Sequence, residues 1–295
     1  MAWEDTLISI YLYICSNFKG SVWAPAQRLS NNADPELTDE EVLTIYLFGI
    51  IKKKRTITEI YEYITDHMKA WFPALPSYVG YVLRLNRLCD VFAPLVEQIL
   101  ADCSREGVLE QTCMVDSMPI VMAHAKRSST AKVAPVLANK GYCSSKNMYY
   151  HGVKLHLLAF RRPGRLPLPD YMGMTPGADN DLTVLRSILP KLHDCDLFGD
   201  KIYADQELVD RLIKEQNVRL YTPIKKKKGQ EELPMTDRAF SRAVSEVRQP
   251  IESFFNWIEE KTGIQTASKV RSVEGLKVHV FGRLAAAMLL LAFYS

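Results

Sequence analysis

Near Thr112 the hydrophobic pattern changes period, and no other feature of the chain constrains its fold as much. Before that point apolar residues recur at helical spacing behind helix-opening signals. Thr38-Asp39-Glu40-Glu41, ahead of Val42, Leu43, Ile45 and Tyr46, reads as a capping box, in which a hydroxyl and a carboxylate satisfy first-turn amides. Thr56-Ile57-Thr58-Glu59 repeats the signal before Ile60, Tyr61 and Ile64. A third helix is expected from Ser77, after Pro73 and Pro76, with Tyr81, Leu83, Leu85 and Leu88 apolar and Arg84 and Arg87 on its surface. Beyond Thr112 the runs suit strands: residues 112–115 leading into Asp116, 119–122, 149–160, and 168–175 after a Pro/Gly hairpin. A helix over 181–192, a strand at 197–200, a helix over 205–216, a strand over 218–224 and helices from about Asp237 complete the chain. The order predicts an α/β fold, a mixed sheet flanked by helices, preceded by an N-terminal helical region. The boundary is expected near residue 105: 1–105 helical, 106–295 carrying the sheet and the C-terminal helices.

Charge distribution says more than total charge, which is only +3 over 295 residues. Between Asp116 and Asp170 there is no acid but nine Lys and Arg, from Lys126 and Arg127 to Arg165. Such a one-signed stretch either attracts a polyanion or is a solvated surface balanced by acids elsewhere in the fold. The N-terminal helices, with Lys52-Lys53-Lys54-Arg55 in a turn, are compatible both with a helix-turn-helix-like DNA-binding unit and with a plain helical domain. Six scattered cysteines without metal-ligand spacing read as free thiols of a reducing compartment. The acidic N-terminus is unlike a signal peptide, and the apolar run Leu284 to Tyr294 is too short to cross a bilayer, so it reads as a core helix. A cytoplasmic protein is expected.

Three acids stand out. Asp116 and Asp200 each end or interrupt a short apolar run, where a strand would hold them rigidly. Glu252 lies on a stretch whose Ile251, Phe254, Phe255 and Ile258 recur as one helical stripe, one turn after Arg248. Carboxylates from three separate elements suit hard divalent cations, and two such ions can clamp the attacking and leaving oxygens of a phosphodiester. Singly, each acid has an ordinary alternative: Asp116 a turn residue, Asp200 a helix cap, Glu252 the partner of a surface Arg248. Asp205 and Asp181 suit helix caps, His156 a hydrogen-bonded half-buried position, and Trp257 packing.

Val115-Asp116-Ser117-Met118-Pro119-Ile120, Lys140-Gly141-Tyr142, Gly152-Val153-Lys154-Leu155-His156-Leu157, Gly177-Ala178-Asp179-Asn180-Asp181, Phe198-Gly199-Asp200-Lys201-Ile202-Tyr203 and Arg248-x-x-x-Glu252 follow one another in this order. In these stretches the chain resembles the DDE transposases of bacterial insertion sequences, whose catalytic core is ribonuclease H-like, over roughly residues 77 to 283. The resemblance implies Asp116, Asp200 and Glu252 as the metal-binding, catalytic triad, 84 and 52 residues apart, with two Mg²⁺ ions for which Mn²⁺ substitutes. It departs at Ser245 and Glu259, where relatives often carry Tyr and Lys; Lys261 is the substitute for that Lys.

The activity so implied is hydrolysis of a phosphodiester at the element's ends and transfer of the freed 3′-hydroxyl into target DNA. The implied partners are double-stranded DNA, as terminal inverted repeats and as target, and a second copy of the chain on paired ends. Arg248, Lys126, Arg127, Lys201 and Lys261 are the expected DNA contacts. The alternatives are an inactive or domesticated DNA-binding protein and a stand-alone ribonuclease H-like nuclease; a small-molecule metallohydrolase leaves the basic stretch without a purpose.

Overall fold

The computed structural model describes residues 3–28, 35–144, 146–188 and 192–293. Contacts divide the chain into two compact units: one of residues 1–104, 132–136 and 258–295, the other of 105–131 and 137–257.

The first unit is built from helices. Its N-terminal part runs α1 (Trp3–Asn17), α2 (Gly20–Trp23), α3 (Asp39–Ile51), α4 (Ile57–His67), α5 (Tyr78–Arg87) and α6 (Phe92–Ala101). Local chemistry sets where they start. Thr38 accepts the Glu41 amide while Glu41 Oε2 accepts the Thr38 amide at 2.6 Å, so the capping box forms in full. Thr56 caps α4 through the Glu59 amide, but Glu59 reaches one residue further back, to the Arg55 amide at 2.7 Å. Ser77 caps α5. Every residue of α3 from Val42 to Ile50 is buried, so this helix forms the middle of the unit rather than one wall of it.

The second unit holds a six-stranded mixed sheet. β1 (Leu109–His124) lies between antiparallel β3 (Met148–Arg161) and parallel β5 (Asp196–Phe198), and β6 (Arg219–Tyr221) continues parallel to β5. On its far edge β3 pairs first with β2 (Asn139–Cys143) and then with β4 (Leu168–Pro176). The two apolar runs around Asp116 are one strand of 16 residues that passes through Pro119. Proline is tolerated there because β5 pairs with β1 only over Thr112–Met114, leaving the edge beside Pro119 with no ladder amide to supply. The strand β2 was not expected from its sequence. α7 (Asp181–Ile188) and α8 (Gln206–Gln216) pack on one face, where Val115, Leu158, Leu185, Leu197, Leu208 and Leu212 share a core. α9 (Met235–Thr262) buries Ile251, Phe254, Phe255 and Ile258, the stripe anticipated from periodicity.

The chain closes within the first unit. α10 (Val273–Lys277), a π turn (Val278–Gly282) and α11 (Arg283–Phe293) form one continuous helix of 21 residues, whose most apolar 18-residue window has mean hydropathy 1.7. By length and composition it would cross a bilayer, but 72% of its most apolar window is buried in protein, with α11 packed on α3 and α6. It is a core helix, longer than the run from Leu284 suggested.

Candidate active site

Asp116 sits in the middle of β1, opposite Leu157 of β3, and its Oδ1 accepts the Ser117 amide at 2.8 Å. Asp200 follows β5 directly. Gly199 bonds its amide to Tyr221 O of β6, and a Cβ there would come within 2.8 Å of the Tyr203 ring and 3.2 Å of Val115. Glycine thus lets the chain leave the sheet tightly against β1, so the parallel pairing of β5 carries Asp200 toward Asp116. Tyr203 is buried in the core, and burial pushes its hydroxyl pKa up. Its role is packing.

The third acid comes from α9. Arg248 and Glu252 are one turn apart, with Pro250 between them. The arginine's tightest carboxylate partner is not Glu252, at 3.8 Å, but Asp116 Oδ2, at 2.9 Å and 132 residues away in sequence. Its other terminal nitrogen lies 3.9 Å from Asp200 Oδ1. One buried guanidinium therefore stands within 4 Å of three carboxylates drawn from a strand, a strand exit and a helix. Arg248 Nε is buried with no hydrogen-bond partner.

This centre is short of positive charge. Burial pushes the Asp116 carboxyl up to about 6, against the pull of Arg248 and the Ser117 amide and with help from Asp200 and Glu252. Asp200 and Glu252 are half exposed, at 51% and 59%. Among the described residues no three Asp, Glu, His or Cys side chains already form an ion cage. The guanidinium lies between the acids, within 4 Å of each.

A protein-family model described as a transposase DDE domain matches residues 106–272. The chain belongs to that family. No curated protein and no solved structure matches it. DDE transposases generally work with divalent metal ions, and the donor set here fits one: oxygen ligands only, on three elements, with one arginine against three acids.

The remaining expected contacts of this transposase lie as follows. Lys126 and Arg127 form an exposed turn (Ala125–Arg127) directly after β1, and Lys201 is exposed beside Asp200; none of the three pairs with an acid among the described residues. Lys261 pairs with its neighbour Glu260 at 3.0 Å. Glu259 Oε2 accepts the Gln265 amide and helps close the end of α9, and the Ser245 hydroxyl bonds Ser241 O. Asp205 caps α8 through the Leu208 amide. Asp181, expected as a cap, instead receives Lys154 Nζ at 3.0 Å, and Asn180 accepts the Leu182 amide. His156 is buried beside this pair and bonds Thr175 Oγ1 at 2.8 Å; burial, with Lys154 adding, lowers its pKa. The sequence reading missed the Lys154–Asp181 pair. The one available signal was that Lys154 and His156 share one strand face with period two.

Proposed function

We propose that the chain is the transposase of an insertion sequence, with a ribonuclease H-like core that cuts the element's ends and joins the freed 3′-hydroxyl to target DNA. The observation that carries the reading is the meeting of Asp116, Asp200 and Glu252 around Arg248, all inside the family-matched segment. A long strand bearing the first acid, antiparallel neighbours, a parallel strand before the second acid and a helix bearing the third support the ribonuclease H-like assignment.

In this reading Asp116, Asp200 and Glu252 would hold two Mg²⁺ ions, or Mn²⁺ in their place. Those ions would supply activation of the attacking water or 3′-hydroxyl and stabilisation of the leaving oxygen. Asp116 is the fixed member, held by the Ser117 amide and by Arg248. Asp200 and Glu252 are the adjustable members, since their exposure lets them swing. Arg248 neutralises the acids until substrate arrives and then turns toward the scissile phosphate, for which a planar fork of N–H donors is well shaped. Lys126, Arg127 and Lys201, exposed and without an acid, hold the flanking phosphates; Lys261, tied to Glu260, contributes least. Residues 1–105 grip element-end DNA, residues 106–295 carry out the chemistry, and two copies act on paired ends in the cytoplasm.

Incubating the protein with a duplex bearing the element's own end, plus Mg²⁺ or Mn²⁺, tests this directly. Nicked ends and, with a pre-cut end, joined products are expected. Asp116→Asn, Asp200→Asn and Glu252→Gln are expected to bind the duplex and cut nothing. Cutting without joining would identify a stand-alone nuclease, and binding without cutting a decayed DNA-binding relative.

A further inference from the structure

Asp39 at the start of α3 is the converse of Arg248. Its carboxylate is shared by three arginines: Arg28 at 2.8 Å, Arg84 at 2.9 Å and Arg87 at closer range. The four side chains are largely buried, and all three arginine Nε atoms are buried with no hydrogen-bond partner. Three guanidiniums on one carboxylate leave an excess of two positive charges, and a half-buried excess of that kind calls for an anion.

Arg84 and Arg87 belong to α5, whose outer face is apolar and open. Val79 and Leu83 are 64% and 65% exposed, one turn apart, with Tyr78 beside them. On its other flank α5 walls a cleft of about 1010 Å³ through Tyr78, Val82 and Asn86. Arg55, Lys269 and Arg271 line the same cleft; with the buried Arg283, its lining carries four cations against two acids, Glu59 and Glu259. α5 is therefore an exposed apolar ridge with positive charge along both sides, all within one compact unit.

We infer that α5 is the helix that enters the major groove of duplex DNA. In that seating Val79 and Leu83 meet base edges. Arg87, the most exposed of the three arginines at 32%, faces the phosphates of one strand, with Arg84 and Arg28 contributing their field from behind it, and Lys269 and Arg271 take those of the other. A B-form major groove of about 12 Å admits one α-helix and has a phosphate rail on each side. A-form RNA, with its deep, narrow major groove, does not admit it. The inference rests on the reading of the chain as a DNA-processing enzyme, and it names the surface that recognises the substrate.

The test is fluorescence anisotropy of the full chain with an end duplex, a shuffled duplex and an RNA duplex, from about 50 to 200 mM salt. The double variant Val79→Ser/Leu83→Ser is expected to bind the end duplex about 10- to 100-fold more weakly, with shuffled-duplex binding unchanged. Lys269→Ala and Arg271→Ala are expected to weaken both DNA duplexes alike and to lower the salt slope by about one each. Thermal melts confirm folding; the substituted side chains are exposed. Wild-type-like preference in the double variant overturns the inference, as does a loss of dimer by size exclusion without a change in DNA binding, or equal affinity for RNA. If the wild type still cuts end DNA in those cases, only the assignment of α5 falls; if it neither binds nor cuts DNA, the proposed function falls with it.

Discussion

Two charged centres in this molecule are mirror images. Around Arg248 one guanidinium serves three carboxylates; around Asp39 one carboxylate serves three guanidiniums. Each is left two charges from neutrality, with opposite sign. The difference lies in which members are free to move. At the acidic centre the arginine is buried and two of the acids are half exposed, so the arrangement can open to admit a cation. At the basic centre all members are largely buried and tie α3, α5 and Arg28 together, so it presents a fixed field. One centre is built for chemistry and the other for holding.

The largest effect that would break this contrast is on catalysis. Replacing any one of Asp116, Asp200 or Glu252 by its amide should lower end cleavage by about a thousandfold or more, measured as nicked product per hour, with DNA affinity retained. Next come the central residues of the two centres. Arg248→Ala should destabilise the fold by about 3 kcal/mol, because it leaves a buried carboxylate unpaired. Added Mn²⁺ should recover much of that loss in a thermal melt, whereas chelator should not. Asp39→Asn should cost a comparable amount and should respond to sulfate, not to Mn²⁺. Equal response of both variants to both ions would erase the distinction.

Smaller effects come from pH. Burial opposes the Asp39 charge, but hydrogen bonds from Arg28, Arg87 and Arg84 win and hold its carboxyl below the ordinary 3.8. A lowered folded value means stability is present above the unfolded pKa and is lost as pH falls through the folded one; Asp39→Asn should lose this acid limb below about pH 4. His279 is buried, and burial, with Arg283 adding, lowers it from 6.5 to about 3 against its bond to Ile264 O. Unlike Asp39 it stabilises while neutral, so the wild type should lose about 1 kcal/mol over the first pH unit or so below 6.5. A denaturation series on His279→Phe should flatten that region. The smallest effect is expected at Lys261, where Lys261→Ala should change DNA affinity less than Lys126→Ala or Arg127→Ala.

How much of this was legible beforehand follows from sequence distance. The capping box at Thr38, the caps at Thr56 and Asp205 and the stripe Ile251, Phe254, Phe255, Ile258 are local patterns and appear where the pattern put them, although Glu59 completes its return contact on the Arg55 amide rather than that of Thr56. The stretch 112–122 is expected as the first strand, but its full length, Leu109 to His124, comes from pairing with β3, and that is a long-range fact. β2 is five residues of mixed character that acquire strand geometry only from β3. The three acids were recognisable one by one and through their motifs, but for Arg248 the sequence offered a DNA contact or a pair with Glu252, not one with Asp116. That arginine's tightest carboxylate partner is 132 residues away. Asp39 was read as part of a capping box; that its carboxylate also gathers Arg28, Arg84 and Arg87 is set by how three segments pack, which no periodicity encodes.

The most direct measurement is cleavage of an end duplex by the Glu252→Gln protein across a Mn²⁺ titration, alongside its binding of the same duplex. The account predicts normal binding and no nicking at any Mn²⁺ concentration, since the acid on α9 is the one that closes the set. Nicking at the wild-type rate would contradict it, and would mean that the helix brings Glu252 to Arg248 for stability alone.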